Sequence, residues 1–379
     1  MNESPGGAPV SVAGHPLALR AVASYGLVGS LLDMPSTALE EKEFARLHAA
    51  VRSQKLTGLF WSAIAHGAFP ATPSQRERAE ESHVERLAGV LLLEELLVDV
   101  VQSMARAGVP VRVLKGAAMA HLDYPDPAQR PYGDIDVLVP SDKFDHAVEV
   151  LTAGGCRRLF PQPRPGFDRE FGKGVCVRTP TGLEIDLHRT FSMGPFGERL
   201  ALLDLWDSSE DFALAGTRMQ ALSSEARFLH AAYHAALGDR RLRLAPLRDL
   251  AQLALTRDLD WGHVHALMHA SHGEPVVARS IRAAWSELHI ADVLAINAWA
   301  AAYQESPRQA AELEVYGPRS SYAARSFATI RAIPSLSRKA RYVRTLAMPS
   351  KSYLADRHHS NVSRLLRGWQ EINRPREGT

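Results

Sequence analysis

The sequence predicts an α+β protein: a small mixed β-sheet flanked by helices, with helical parts before and after it. Two patterns carry this expectation. Between residues 108 and 195 short apolar or alternating runs, punctuated by Gly and Pro, read as strands. On either side, apolar residues recur at helical spacing over longer stretches. At 379 residues the chain has room for two or three units with a sizeable core. The expected divisions are a disordered leader at 1–15, a helical N-terminal segment at 16–107, a sheet-bearing core at 108–195, a helical part at 196–317 and a basic C-terminal segment at 318–379.

Residues 1–15 are rich in Gly, Pro and Ser and lack the basic and apolar regions of a signal peptide. Pro16 to Ala68 reads as two helices broken at Asp33-Met34-Pro35-Ser36. Gln75 to Ala107, without Pro and rich in Ala, Leu, Glu and Arg, reads as one long helix ended by Gly108. Its most apolar run, Leu87 to Val101, contains Glu94, Glu95 and Asp99, which excludes a membrane span, so a cytoplasmic protein is expected. Val109 to Leu114 is a predicted strand, and Gly116 to Leu122 a short helix whose N-terminus suits an anion. Tyr124 to Gly133 is a proline-rich loop that delivers Arg130 to the next strand, Asp134 to Val139. Ser141 is expected to cap a helix over Asp142 to Ala153, stopped by Gly154-Gly155. Cys156 to Phe160 is a further candidate strand, Pro161 to Gly166 a candidate lid, and Phe171 to Val177 with Leu183 to His188 a hairpin through Thr179-Pro180-Thr181-Gly182. From Phe196 the composition reads as helical, with apolar stripes over Ser223 to Leu237, Leu247 to Thr256, Trp261 to Ala270 and Glu274 to Leu288.

The acids of this central region carry the chemistry. In an extended strand successive side chains alternate, so Asp134 and Asp136 project to one face while Ile135 enters the core. Buried like charges need a neutralising cation, and Asp186, on a second strand-like run, could join them. Three converging carboxylates suit a hard, oxygen-seeking ion such as Mg²⁺. On this reading, neutralising Asp134 and Asp136 together leaves the fold intact or steadier.

The runs Leu114-Lys115-Gly116, Tyr124-Pro125, Arg130-Pro131, Asp134-Ile135-Asp136-Val137-Leu138-Val139 and Ile185-Asp186-Leu187-His188 resemble the nucleotidyltransferase family of mostly uncharacterised bacterial proteins, within the polymerase β-like superfamily. The motifs span about Val111 to His188, with a weaker match to about Leu259. The resemblance implies a minimal nucleotidyltransferase core and two Mg²⁺ ions, with Mn²⁺ as substitute, held by the catalytic acids Asp134, Asp136 and Asp186. It implies transfer of an NMP group from an NTP, ATP foremost, to a hydroxyl or phosphate acceptor, with natural-product or peptide modification as the setting. Lys115, Gly116, Arg130 and Gly133 are the implied nucleotide contacts, and His188 and His234 candidates beside the substrate. Lys115-Gly116-Ala117-Ala118 stands where better-known members carry Gly-Ser, so the usual serine contact to the triphosphate is absent. Three other readings are carried: transfer of a sugar or other phosphate-linked group, a non-catalytic nucleotide-binding, antitoxin-like regulator, and a scaffold role for the helical part in a larger biosynthetic complex. The acceptor is expected to be a small molecule or peptide.

Several features have plainer readings. Lys plus Arg number 44 against 42 Asp plus Glu, a net charge of +2 that argues for neither nucleic acid nor membrane. From Pro318 onward, however, 13 basic residues face 3 acids, a local excess that would tolerate a polyanion although no RNA-binding motif is present. His230 and His234 have the spacing of a zinc pair but no Glu of the HExxH kind, and read as structural or cleft-lining. Cys156 and Cys176 are expected to be buried fillers, and Asp356-Arg357-His358-His359 a polar surface turn.

Overall fold

The computed structural model describes residues 15–239, 241–318, 320–351 and 353–354. Most of the expected leader, the Asp356 to His359 turn and the rest of the basic segment from 355 lie outside them. Helices α1 (Leu17–Ser24), α2 (Glu41–Ser53) and α3 (Thr57–Ala65) lead into α4 (Pro73–Arg106). The first segment therefore holds three helices rather than two, because the chain turns a second time at Lys55, in the left-handed region at φ 58°. The start of α4 is set by a reciprocal cap: the Gln75 amide donates to the Thr72 hydroxyl (3.3 Å) and the Thr72 amide to the Gln75 side chain (3.1 Å), with Pro73 in the first turn.

The sheet region follows as β1 (Arg112–Val113), α5 (Lys115–Leu122), β2 (Ile135–Leu138), α6 (Phe144–Ala153), β3 (Arg157–Arg158), α7 (Phe167–Glu170), β4 (Gly174–Arg178) and β5 (Glu184–His188). The helix expected after Ser141 starts as a single 3₁₀ turn, Ser141–Lys143, and Ser141 makes no side-chain cap. After α8 (Pro195–Arg199) come two further strands, β6 (Ser209–Leu214) and β7 (Thr217–Leu222), joined through Ala215-Gly216. These strands correct the expectation that structure beyond Phe196 is all helical. They complete a seven-stranded mixed sheet in the order β3-β4-β5-β2-β1-β7-β6.

The remaining helices are α9 (Ser224–Leu237), α10 (Leu244–Thr256), α11 (Trp261–Ala270), α12 (Glu274–Leu288), α13 (Ala295–Ala302), α14 (Pro307–Glu314), α15 (Tyr322–Ala332) and α16 (Leu336–Ala347). Two apolar cores lie on opposite faces of the sheet. Ile135, Val137, Ile185 and Leu187 pack with Val90, Leu93, Leu97 and Val100 of α4 and with Phe144 and Leu151 of α6. Leu138 on the alternate face joins a larger cluster running from α1 to α3 through α9, α10 and α12. The N-terminal helices and the later helical part thus share one core. The even-numbered residues of β2 and β5, acids included, face this helical side.

Most hydrogen-bonded turns follow the expected punctuation. Gly182 takes φ 91° in the β4–β5 turn, where the Leu183 amide donates to the Thr179 hydroxyl (3.1 Å). The proline loop read as a lid is tied down in this structure. The Ser350 amide donates to the Pro163 carbonyl (2.8 Å), and Arg164 donates to the Met348 carbonyl. Within the described part of the basic segment, Arg341 bonds Glu170 of α7, and Arg338 reaches Glu198 of α8 at 2.9 Å. These two arginines are therefore occupied by the protein's own acids.

Candidate active site

The parallel pairing of β2 with β5 sets Asp136 directly beside Asp186 and Leu138 beside His188. One ligand atom from each of Asp136, Asp186 and His188 falls within 4.8 Å of the others. Alternation explains why: Asp186 and His188 are two residues apart on one strand, and register brings Asp136 to them. Asp134, one residue before β2, stands outside this group, half-buried and 4.0 Å from the Lys55 ammonium.

Asp136 is 3% exposed and His188 2%. A single carboxylate oxygen, Asp136 Oδ1, accepts from Lys115 Nζ at 2.9 Å and from His188 Nε2 at 2.7 Å. Burial alone would raise the Asp136 pKa, but Lys115 and the His188 bond outweigh it and hold the carboxyl well below its usual range. Lys115 feels burial in the opposing direction, and the charges of Asp136 and Asp134 raise its pKa overall. Burial, followed by Lys173, lowers the pKa of His188 despite Asp136. The ring is therefore neutral near pH 7, and because a carboxylate only accepts, Nε2 carries the hydrogen. His188 Nδ1 is then a buried nitrogen with no partner. Two carboxylates with an imidazole alongside them form a donor set that fits a divalent cation.

Lys115 opens α5 directly after β1, and the Leu114 amide donates to the Asp136 carbonyl (2.9 Å), which fixes the end of the strand against β2. No side chain caps α5, so its first-turn amides are available to an anion. Gly116 is buried under Tyr132, and a Cβ there would stand 3.2 Å from the ring. Its small size serves that packing. Gly133 is exposed, and a Cβ at that position would come 3.0 Å from the Arg86 guanidinium.

Arg130 is not aimed at the acids. Its guanidinium makes a two-pronged bond to Asp249 of α10 at 2.8 and 2.7 Å, and Tyr124 donates to the same carboxylate at 2.9 Å. The side chain holds the loop against the helical part instead of presenting a charge to a nucleotide. Its partner lies 119 residues away, beyond the reach of any local pattern.

Three residues near the acids carried no signal in sequence. Lys55 arrives from the α2–α3 turn, Arg86, half-buried, from α4, and Lys173 from the residue before β4. Burial lowers the pKa of Lys55 against the pull of Asp134. Burial and then Lys115 lower that of Lys173 against Asp136, Asp186 and Asp134. His230, expected to be structural or cleft-lining, packs at a tilt against Phe191 with ring centroids 4.6 Å apart. Burial and then Lys115 hold both His230 and His234 well below the ordinary histidine range, so α9 presents neutral rings to the site. Cys176, opposite Asp186 in the β4–β5 pairing, is half-buried rather than fully buried, and burial followed by its bond to Asp186 pushes the thiol pKa up. Cys156 is buried as expected.

Solved structures offer loose likenesses. The antibiotic-resistance factor ANT(2'')-Ia in solution is 16% identical, with 52% of this chain and 96% of that one covered and a TM-score of 0.33. The crystal structure of ANT(2")-Ia with adenylyl-2"-tobramycin gives 15%, 47%, 96% and 0.33. An antigenic nucleotidyltransferase-like protein from Paracoccidioides brasiliensis gives 14%, 52%, 92% and 0.33. These scores are too low to bear on substrate. No curated protein matches the chain in sequence. Among the described residues no helix is long and apolar enough to cross a membrane. The profile of one family, described as uncharacterised nucleotidyltransferase, matches residues 40–285, a span that includes every element of the acid site, and the chain belongs to that family.

Proposed function

We propose that the protein transfers a nucleotidyl group from an NTP, ATP foremost, to a hydroxyl or phosphate acceptor in a metal-dependent reaction. The observation that carries this reading is the convergence of Asp136, Asp186 and His188 beside the uncapped, lysine-bearing N-terminus of α5. Asp136 and Asp186, with His188 and with Asp134 at the rim, would hold Mg²⁺. Such an ion supplies neutralisation of the triphosphate and a lowered pKa for the attacking hydroxyl.

The protein's own groups have distinct tasks. Lys115 and the first amides of α5 grip the phosphates, with Lys55 and Arg86 adding positive charge at the Asp134 end. His188 fixes the orientation of Asp136. The acceptor oxygen attacks the α-phosphorus in line, forming the new P–O bond as pyrophosphate leaves, and Asp186 takes the hydroxyl proton. Positioning and charge supply most of the stabilisation of such a transition state.

The test is pyrophosphate release from full-length protein with each NTP, Mg²⁺ and a panel of hydroxyl-bearing small molecules and peptides. Activity abolished by Asp136→Asn and by Asp186→Asn is the expected result. Tight NTP binding without pyrophosphate release across the panel would favour the regulator reading instead.

A further inference from the structure

Helices α15 and α16 carry charge that the fold does not use. Residues 318–354 hold 8 Lys or Arg and no Asp or Glu. Three of the arginines turn inward: Arg338 and Arg341 bind Glu198 and Glu170, and Arg325 donates to the Val315 carbonyl (3.3 Å) while lying over the Tyr316 ring. Among the described residues the side chains of Arg331, Lys339, Arg344 and Lys351 have no hydrogen bond or ion pair. Arg331 stands near the end of α15, Lys339 and Arg344 lie on α16, and Lys351 follows it.

The two faces of α16 are unlike. On the inner face Tyr342 packs on Phe167 of α7 and on Phe171 just after it, with ring centroids 6.0 and 5.0 Å apart, and Ile333 completes the cluster. That packing, with the Arg338 and Arg341 bonds, anchors the helix and decides which side faces out. The outer side is apolar. Leu336 is 81% exposed and Val343 45%, with exposed Ala340 between them, and the spacing of four and then three residues sets them on one stripe. Met348, just past the helix, is 59% exposed. At about 100° per residue, Lys339 and Arg344 fall about 70° to either side of the stripe.

A helix already held by its inner face gains from burying Leu336 and Val343 only against something outside the chain. That surface must also be anionic, because unpaired cations flank the stripe and no acid of the segment balances them. A bilayer containing anionic lipid meets both demands. The stripe enters the acyl boundary, while Lys339 and Arg344 lay their stems over it and leave their charges at the headgroup phosphates. A nucleic acid would meet the charges and gain nothing from aliphatic side chains, since it offers phosphates and stacking bases. The spread of cations from Arg331 to Lys351 suits a continuous charged surface better than the discrete acids of a protein partner.

We infer that the outer face of α16 is a peripheral docking surface for an anionic phospholipid bilayer. The contact lies in the interface and needs no spanning segment, and it stands independently of the transfer reading.

The experiment is sedimentation of full-length protein with vesicles of phosphatidylcholine alone and of phosphatidylcholine mixed in equal parts with phosphatidylglycerol, at low and at physiological salt. Binding to the mixed vesicles should exceed binding to the neutral ones by about tenfold or more and weaken as salt rises. Lys339→Gln/Arg344→Gln and, separately, Leu336→Ser/Val343→Ser should each weaken it by about fivefold or more. Melting temperatures should stay at the parent value, because none of the four side chains is buried. The inference is overturned by equal binding to neutral vesicles, by no binding to either kind, or by either variant binding as the parent does. Loss through the charge variant alone would mark a patch for nucleic acid instead.

Discussion

Lys115 and His188, 73 residues apart in sequence, donate to the same oxygen of Asp136. That shared acceptor reverses the expectation that removing charge from the acid pair would leave the fold intact or steadier. Asp136 is compensated by a lysine and an imidazole, so Asp136→Asn leaves the Lys115 ammonium without its nearest partner. Breaking a buried pair costs about 3–5 kcal/mol. A lowered melting temperature for Asp136→Asn, beside a change within about 0.5 kcal/mol for the half-exposed Asp134→Asn, is the expected outcome by thermal or urea unfolding.

Arg130 should prove structural. Arg130→Ala strands Asp249 in the core and is expected to cost about 3–5 kcal/mol of stability. NTP affinity of the remaining folded protein, measured below its melting temperature, should be unchanged. A large loss of NTP affinity with unaltered stability would return Arg130 to the nucleotide.

Lys115→Ala should weaken NTP binding by about 1.5–3 kcal/mol, the range for a hydrogen bond to a charged group. Binding of the corresponding monophosphate should fall much less. Parallel calorimetric titrations with ATP and AMP read the difference directly.

NTP affinity should depend on the divalent ion, because Asp134, Asp136 and Asp186 repel an unscreened triphosphate. Titration in Mg²⁺ and again after EDTA should show binding lost on chelation. Equal affinity in both conditions would remove the metal bridge from the proposal.

Acid should destabilise the protein through α9. His230 and His234 have folded pKa values held below that of an unfolded histidine, about 6.5. Above that pH both are neutral in either state and contribute no slope. As pH falls below it the unfolded chain takes up protons that the folded chain refuses, and stability drops by up to about 1.4 kcal/mol per pH unit for each ring. His230→Asn/His234→Asn, compared with the parent from pH 7 to pH 5, should show the shallower decline.

Alternation and spacing made part of the site legible. Asp136, Asp186 and His188 could be placed on one face because the strand period is two and β2 and β5 have distinct apolar partners at the odd positions. Lys115 was legible from its place between a strand and a helix. Lys55, Arg86 and Lys173 were not, because each is brought in by packing between distant segments, and a lone basic residue has no periodic signature. β6 and β7 were missed because Ser209 to Leu222 carries charged residues at its exposed positions and sits among helical stretches. Their strand identity comes from pairing with each other and with β1. The partner of Arg130 was equally invisible, since nothing near residue 249 marks it as the end of an ion pair.

The parallel pairing of Val113 with Ala221 bears on how the molecule comes into being. β1 lies between β2 and β7, so one of its edges stays open until a segment about a hundred residues later in synthesis has arrived. Lys115, Asp134, Asp136, Asp186 and His188 are all translated before that segment. A nascent chain therefore carries the acids, Lys115 and His188 on an unfinished sheet, with a two-residue strand exposing amides and carbonyls to any other strand it meets. Closing so long a loop is slow relative to local helix formation. A fragment cut after residue 195 would keep that open edge permanently, and its characteristic fate is self-association rather than a small autonomous enzyme.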